Sequence, residues 1–395
     1  MPAFFLIFVV TIHICPLKRL IFILLLVFPF ALPLSAQELG NVSYDRNLKS
    51  PEINGTQVTF RIAGEYATEV RLDGSWLGLP AMMQKNDGVW EITMEGIPAD
   101  FHTYSFIVDG VSIPDPANPM LLKDGLNQFS GLFVDGAAAA SYRDCPLRGN
   151  IDYVWYDSRV LGGNRRMAVY TPAGYAKEKN RQYPVLYLLH GEDGDEESWL
   201  SAGRAAVILD NLIHSGRAVP MIVVMPNCHP QEQASKSLGL PSISSELARG
   251  YGERAFEASL VSEIIPYVES HYRAVSKKSY RAVAGLSSGG IQTFYAAGMY
   301  PDRFDYVCPL SCAVVDDGYL QSDLLRIKKS GVKLIWMGCG SGDDMAMAES
   351  QHLREMMNEI HLFHTFYMNS GGHDWKSWRL YLNNFLPMIF KYYKD

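Results

Sequence analysis

Cysteine is scarce and unpaired in this chain. Of six cysteines, Cys15 lies in an apolar leader, leaving Cys145, Cys228, Cys308, Cys312 and Cys339. An odd number, with neither CxxC nor Cys/His ligand spacing, points away from a disulfide framework and from a zinc site. One bridge stays open in an oxidising compartment. Basic clusters are missing too: 35 Lys+Arg face 42 Asp+Glu, for a formal charge of −7, and no run of Lys and Arg is present that could track phosphates. Nucleic acid is therefore not an expected partner. Internal repeats and low-complexity tracts are also lacking. What is there, 48% hydrophobic, 12% aromatic and 19% charged residues over 395 positions, excludes a disordered or collagenous chain. One large domain or two ordinary ones fit that length.

The first 36 residues differ from the rest. Their only charges, Lys18 and Arg19, precede the apolar run Leu20 to Leu32, which ends in Leu34-Ser35-Ala36. This pattern is that of a secretory signal peptide, residues 1–36, cleaved after Ala36. An earlier apolar stretch, Ala3 to Ile14, lengthens the leader, so either the start lies too far upstream or the segment anchors the chain. The run at Leu20 is shorter than the roughly 20 residues a membrane span requires, so cleavage is favoured, with no integral span afterwards and a secreted or periplasmic location. The bulky Ile12-His13-Ile14 before Cys15 does not fit a lipidation signal. Losing Lys18 and Arg19 with the leader takes the formal charge from −7 to −9.

Two hydrophobic periods follow. From Val58 to Val134 apolar residues alternate with polar ones, as in Val58, Phe60, Ile62 and again in Tyr104, Phe106, Val108. Period two means half-buried antiparallel strands, with turns at Asn86-Asp87-Gly88 and Asp109-Gly110, so residues 37–137 read as a small β-sandwich. Residues 138–150 read as a linker. Over residues 151–395 the runs become apolar on both faces: Val185 to Leu189, Met221 to Met225, Arg281 to Ala284, Leu334 to Met337 and Thr365 to Met368. Such runs are buried parallel strands, and Phe256, Leu260, Ile264 and Val268 mark an amphipathic helix between them. The expected class is a three-layer α/β domain.

The chemistry sits at strand ends. The strand at Arg281 runs into Gly285-Leu286-Ser287-Ser288-Gly289-Gly290 and then a helical stretch, the pattern of a nucleophile elbow with Ser287 at its tip. Two more glycine-rich loops follow strands, Gly338 to Asp344 and Asn369 to Trp375. They supply an acid, Asp343, and a base, His373, in the order nucleophile, acid, histidine that α/β-hydrolases use. Asp344 competes as the acid, whereas Asp374 adjoins the base and points elsewhere. His190 and His229 also follow strands; His190 is read as shaping its loop. Backbone N–H groups of Ser288 and Glu192 are placed to hold the oxyanion. Trp90 is read as core, and Trp76 either as packing or as reaching a ligand. The acidic run Glu192 to Glu197 is either a solvated loop or faces the pocket. No cofactor or metal is implied.

These residues resemble the secreted esterases of the esterase D and feruloyl esterase type, carbohydrate esterase family one. The likeness runs through Tyr187 to Gly191 with Trp199, Pro220 to Asn227, Ile264 to Glu269, Ala284 to Ser287, Gly338-Cys339-Gly340, and Gly371-Gly372-His373 before Trp375 and Trp378. It implies an α/β-hydrolase domain with Ser287, Asp343 and His373 as the triad. The N-terminal region, with Trp76, Gly88-Val89-Trp90, Asp109-Gly110 and Asp115 to Asn118, resembles an immunoglobulin-like, early-set, glycogen-binding-like sandwich. Ser288 stands where the family commonly has methionine, and the acidic loop replaces glycines, so the acyl pocket's shape and charge differ. The expected partner is an acylated poly- or oligosaccharide such as xylan, bearing feruloyl or acetyl groups. An acyl slot is expected near Trp199, Leu286, Trp375 and Trp378. A siderophore esterase of the enterochelin type, an acyltransferase and an inert glycan-binding protein are the alternatives.

Overall fold

The computed structural model describes residues 41–313 and 318–391, which belong to one compact unit. The leader and its cleavage site lie outside the described residues. Two antiparallel sheets form the N-terminal part. One runs Glu52–Asn54, Gln57–Ala63, Val89–Glu95, Gln84–Asn86; the other runs Ala81–Met82, Val70–Gly74, Asp100–Val108, Asn127–Val134, Leu121–Asp124. Alternation does the work expected of it, because Val58, Phe60, Ile62, Val70, Leu72, Tyr104, Phe106 and Val108 all point into one buried core between the sheets. Both hairpin turns have two residues with positive φ, Asp87 and Gly88 at 49° and 78°, Asp109 and Gly110 at 47° and 87°. That is the type I′ geometry whose twist matches the flanking strands. Trp90 is core, donating its indole N–H to the Gly64 carbonyl at 3.1 Å. Trp76 packs inside the same sandwich, stacked on Phe60 at 5.7 Å.

Residues 138–150 cross from the sandwich to the second sheet. They are packed rather than free, with a short 3-10 turn Ala140–Tyr142 and with Ala139 and Tyr142 buried in the neighbouring core. The second sheet has eight strands in the order Asn150–Asp157, Asn164–Thr171, Ile222–Pro226, Val185–Leu189, Arg281–Leu286, Tyr306–Leu310, Leu334–Gly340, Thr365–Asn369. The first two are antiparallel to their neighbours, and every later pairing is parallel. A separate hydrophobic cluster covers each face. This is an α/β-hydrolase domain preceded by an immunoglobulin-like sandwich. All five parallel runs read from the sequence are strands.

The helix before the strand Arg281–Leu286 carries its apolar residues at a strict spacing of four. An α-helix advances 400° in four residues, so such a stripe drifts by about 40° per step. Here the stretch Ala255–His271 contains a π turn over Leu260–Ile264, whose wider turn takes up the drift and keeps Phe256, Leu260, Ile264 and Val268 buried.

Candidate active site

The strand Arg281–Leu286 ends in a turn that leads directly into the helix Ser288–Met299. Ser287 sits between them at φ 54°, ψ −122°, a conformation L-residues avoid, and its N–H is held by the Leu310 carbonyl at 2.9 Å. The flanking glycines are there for space. A Cβ on Gly285 would collide with the Gly289 carbonyl, and one on Gly289 would collide with the carbonyl of His190. Small residues at both positions thus let strand, helix and the His190 loop close around Ser287.

His373 and Asp343 arrive from the next loops of the same sheet edge. His373 Nε2 lies 3.0 Å from Ser287 Oγ, and Nδ1 lies 3.0 and 3.1 Å from the two oxygens of Asp343. Burial raises the Asp343 carboxyl, but hydrogen bonds from His373 and Ser311, with the charge of His373 and the Ala346 N–H, outweigh it and leave it below the usual value. An ionised Asp343 only accepts, so the His373 proton resides on Nδ1 and Nε2 is free to accept from the Ser287 hydroxyl. Asp343 is fully buried, while Asp344 is exposed. Asp374 caps the helix Trp375–Phe385, its Oδ1 accepting from Ser377 N–H at 2.8 Å.

Ser311 is a residue the sequence did not single out. It lies beyond the strand Tyr306–Leu310 with φ 44°, fully buried, and its hydroxyl donates to Asp343 while accepting from Trp378 Nε1 at 3.1 Å. A serine after a strand is too common a pattern to mark it.

The opposite wall of the elbow is built by His190 and its loop. Cys228 N–H donates to His190 Nε2 at 2.8 Å, so the ring proton is on Nδ1, which donates to the Gly191 carbonyl at 2.7 Å. Burial, with His229 adjacent, pulls the His190 pKa down to about 3, so the ring is neutral and structural. Gly191 abuts the elbow, since a Cβ there would stand 3.4 Å from Ser287 Cβ, and Glu192 follows it. Ser288 opens its helix, where the first N–H groups have no intrahelical acceptor and the dipole favours negative charge.

The acidic run divides. Glu192 and Asp193 are exposed, but Asp195 and Glu196 are 3% and 1% exposed, so the solvated-loop expectation fails for that half. Glu196 pairs with Arg166 and accepts from Asn227 and Ser235 N–H, and Asp195 accepts from the Ser235 hydroxyl. These carboxylates brace the loop. The expected acyl slot is also altered: Trp199, Leu286, Trp375 and Trp378 are only 1%, 2%, 7% and 6% exposed. Each indole N–H is spent inside, on Leu189 O, Asp124 and Ser311 respectively, and the three rings meet edge to face at 5.1–5.3 Å. They form a wall behind His373, whose ring meets Trp378 at 5.1 Å. Among the described residues no group of three or more His, Cys, Asp or Glu could hold a metal, and no helix is long and apolar enough to cross a membrane.

A family model described as putative esterase matches residues 158–389. The endo-1,4-beta-xylanase/feruloyl esterase of Xylanibacter ruminicola is 30% identical over 304 residues, which is 75% of this chain and 38% of that protein. A solved CE1 ferulic acid esterase from Anaeromyces mucronatus shares 26% identity at a TM-score of 0.53, over 62% of this chain and 91% of its own. The enterobactin esterase of Shigella flexneri, 22% identical, superposes at a TM-score of 0.65 over 86% of this chain and 95% of its own, a likeness of fold.

Proposed function

The chain belongs to the putative esterase family, and on that premise we propose that it is a serine carboxylic ester hydrolase acting through an acyl-enzyme. The carrying observation is the line Ser287 Oγ, His373 Nε2, His373 Nδ1, Asp343, with 3.0 Å at each step. Ser287 Oγ attacks the ester carbonyl as its proton passes to His373 Nε2, and Asp343 stabilises the imidazolium. The oxygen of the tetrahedral intermediate is held by the N–H groups of Ser288 and Glu192. His373 then gives the proton to the departing alkoxide, releasing the alcohol and leaving acyl on Ser287. Water, deprotonated by His373, repeats the sequence and frees the acid.

For substrate we propose an acylated plant cell-wall polysaccharide such as xylan, carrying feruloyl or acetyl groups. Similarity to the feruloyl esterases supports it, as does the leader, which suits a secreted or periplasmic enzyme. The early-set resemblance of the sandwich fits the same setting. Ferulate or acetate release from arabinoxylan by the mature chain tests the substrate, with hydrolysis of a ferric trilactone as the outcome that would favour a siderophore. Ser287→Ala is expected to lower turnover of an aryl ester by about 10⁴-fold or more. Undiminished turnover would overturn the mechanism.

A further inference from the structure

The hairpin joining Leu121–Asp124 to Asn127–Val134 belongs to the sandwich, yet its turn grips the loop that carries Glu192. Gly125, at φ +58°, approaches so closely that any Cβ would collide with the Asp193 carbonyl oxygen. On one side Lys123 N–H donates to Ser201 Oγ at 2.7 Å. Asp124 turns its carboxylate to both catalytic loops at once. Its Oδ2 accepts from Trp375 Nε1 at 2.8 Å, and Ser198 donates a hydrogen bond to the same carboxylate. Ser198 Oγ in turn accepts from Asp195 N–H at 2.9 Å. The junction is tight: a Cβ on Gly194 would lie 2.9 Å from Ser198 Oγ, 3.0 Å from Asp124 Oδ1 and 3.1 Å from His190 Cβ.

Trp375 is two residues past His373 and starts the helix Trp375–Phe385. Its ring meets Trp199 of the oxyanion loop and Trp378, which touches both His373 and Ser311. One carboxylate therefore ties the segment that presents the oxyanion donor to the segment that presents the base. We propose that Asp124 is a positioning residue for ester hydrolysis, holding the Glu192 loop and the His373 loop in register, so that the sandwich is a working part of the catalytic apparatus. This rests on the triad and oxyanion reading above.

The test compares Asp124→Ala, Asp124→Asn and a control inside the sandwich, Asp115→Ala, in the mature chain below each melting temperature. Substrate is 4-nitrophenyl acetate, which has no sugar for the sandwich to bind. A shift of about 1 Å at a catalytic group can cost about 100-fold in rate. Asp124→Ala is accordingly expected to lose about 10- to 100-fold in kcat with little change in KM, and to react with a fluorophosphonate at Ser287 correspondingly more slowly. Asp124→Asn, which keeps an acceptor for Trp375, should recover part of the loss. Asp115→Ala should lower the melting temperature and leave kcat unchanged. If Asp124→Ala does not fold, Asp124→Ser takes its place, since it is too short to reach Trp375. Unchanged kcat and labelling in the Asp124 variants, or an equal kcat loss in Asp115→Ala, would overturn the inference while Ser287 still labels in the unaltered protein. Absence of labelling at Ser287 there would instead sink the triad reading on which it rests.

Discussion

Ser287 holds a backbone conformation that costs about 1–3 kcal/mol, and the cost is met by neighbours that allow it no alternative. The Leu310 carbonyl fixes its N–H, and the glycines at 285 and 289 let the surrounding backbone close in. Ser311, with its own positive φ, performs a similar office for Asp343. A third residue is costly without any evident part in the reaction. Glu257 is fully buried, no other described residue gives either carboxyl oxygen a hydrogen bond, and burial pushes its pKa from 4.5 to about 8 against the pull of its own N–H and the charge of Arg254. Between those two values the unfolded chain is ionised at this position and the folded chain is protonated. Folding then takes up a proton, so stability falls as pH rises from about 4.5 to about 8. Glu257→Gln is expected to remove up to about 1.4 kcal/mol per pH unit of that slope. Urea unfolding of both proteins at pH 5, 6.5 and 8 checks this; parallel stability curves would contradict it.

The elbow works because a strand, a helix and the His190 loop meet within van der Waals contact, which makes it a property of elements. Gly289→Ala must push the helix Ser288–Met299 away from the His190 carbonyl. The variant is expected to lose about 1–3 kcal/mol in stability, by overpacking, and to lose kcat by more than tenfold as the Ser288 N–H and the Glu192 loop move apart. Thermal melts together with kcat on an aryl ester test it, and wild-type values in both would show that the junction is looser than described. The five parallel strands were legible because each is an unbroken apolar run. Three others were not. Tyr306–Leu310 carries Pro309 in the middle of a sheet, where proline lacks the ladder N–H, so its sequence gives no clean strand signal. Asn150–Asp157 is an edge strand with most positions exposed, and Asn164–Thr171 carries Arg165 and Arg166 near its start, whose burial depends on partners distant in sequence. Ser287, Asp343 and His373, which the structure brings within hydrogen-bond reach, stood out for the same reason the parallel strands did, since each follows one.

At the scale of the molecule, the sandwich and the hydrolase sheet share a core. Phe101 and Leu122 of the sandwich pack into the cluster that holds Trp199, Trp375 and Trp378. Arg379, 1% exposed, donates to the carbonyls of Ala202 and Phe101 at 2.8 and 2.7 Å, joining the two parts across 278 residues of sequence. No local pattern announces such a contact, which is why Trp375 and Trp378 read as an acyl slot when they serve as a buried wall. Asp124 was silent for the same reason, meeting Trp375 across 251 residues. The most direct measurement of the central claim is acid-quenched turnover of 4-nitrophenyl acetate followed by peptide mass mapping. A covalent intermediate requires one acetyl group per chain on the peptide containing Ser287, formed in a burst and absent from Ser287→Ala. Hydrolysis with no acyl-enzyme, or with the acetyl group on another residue, would contradict it.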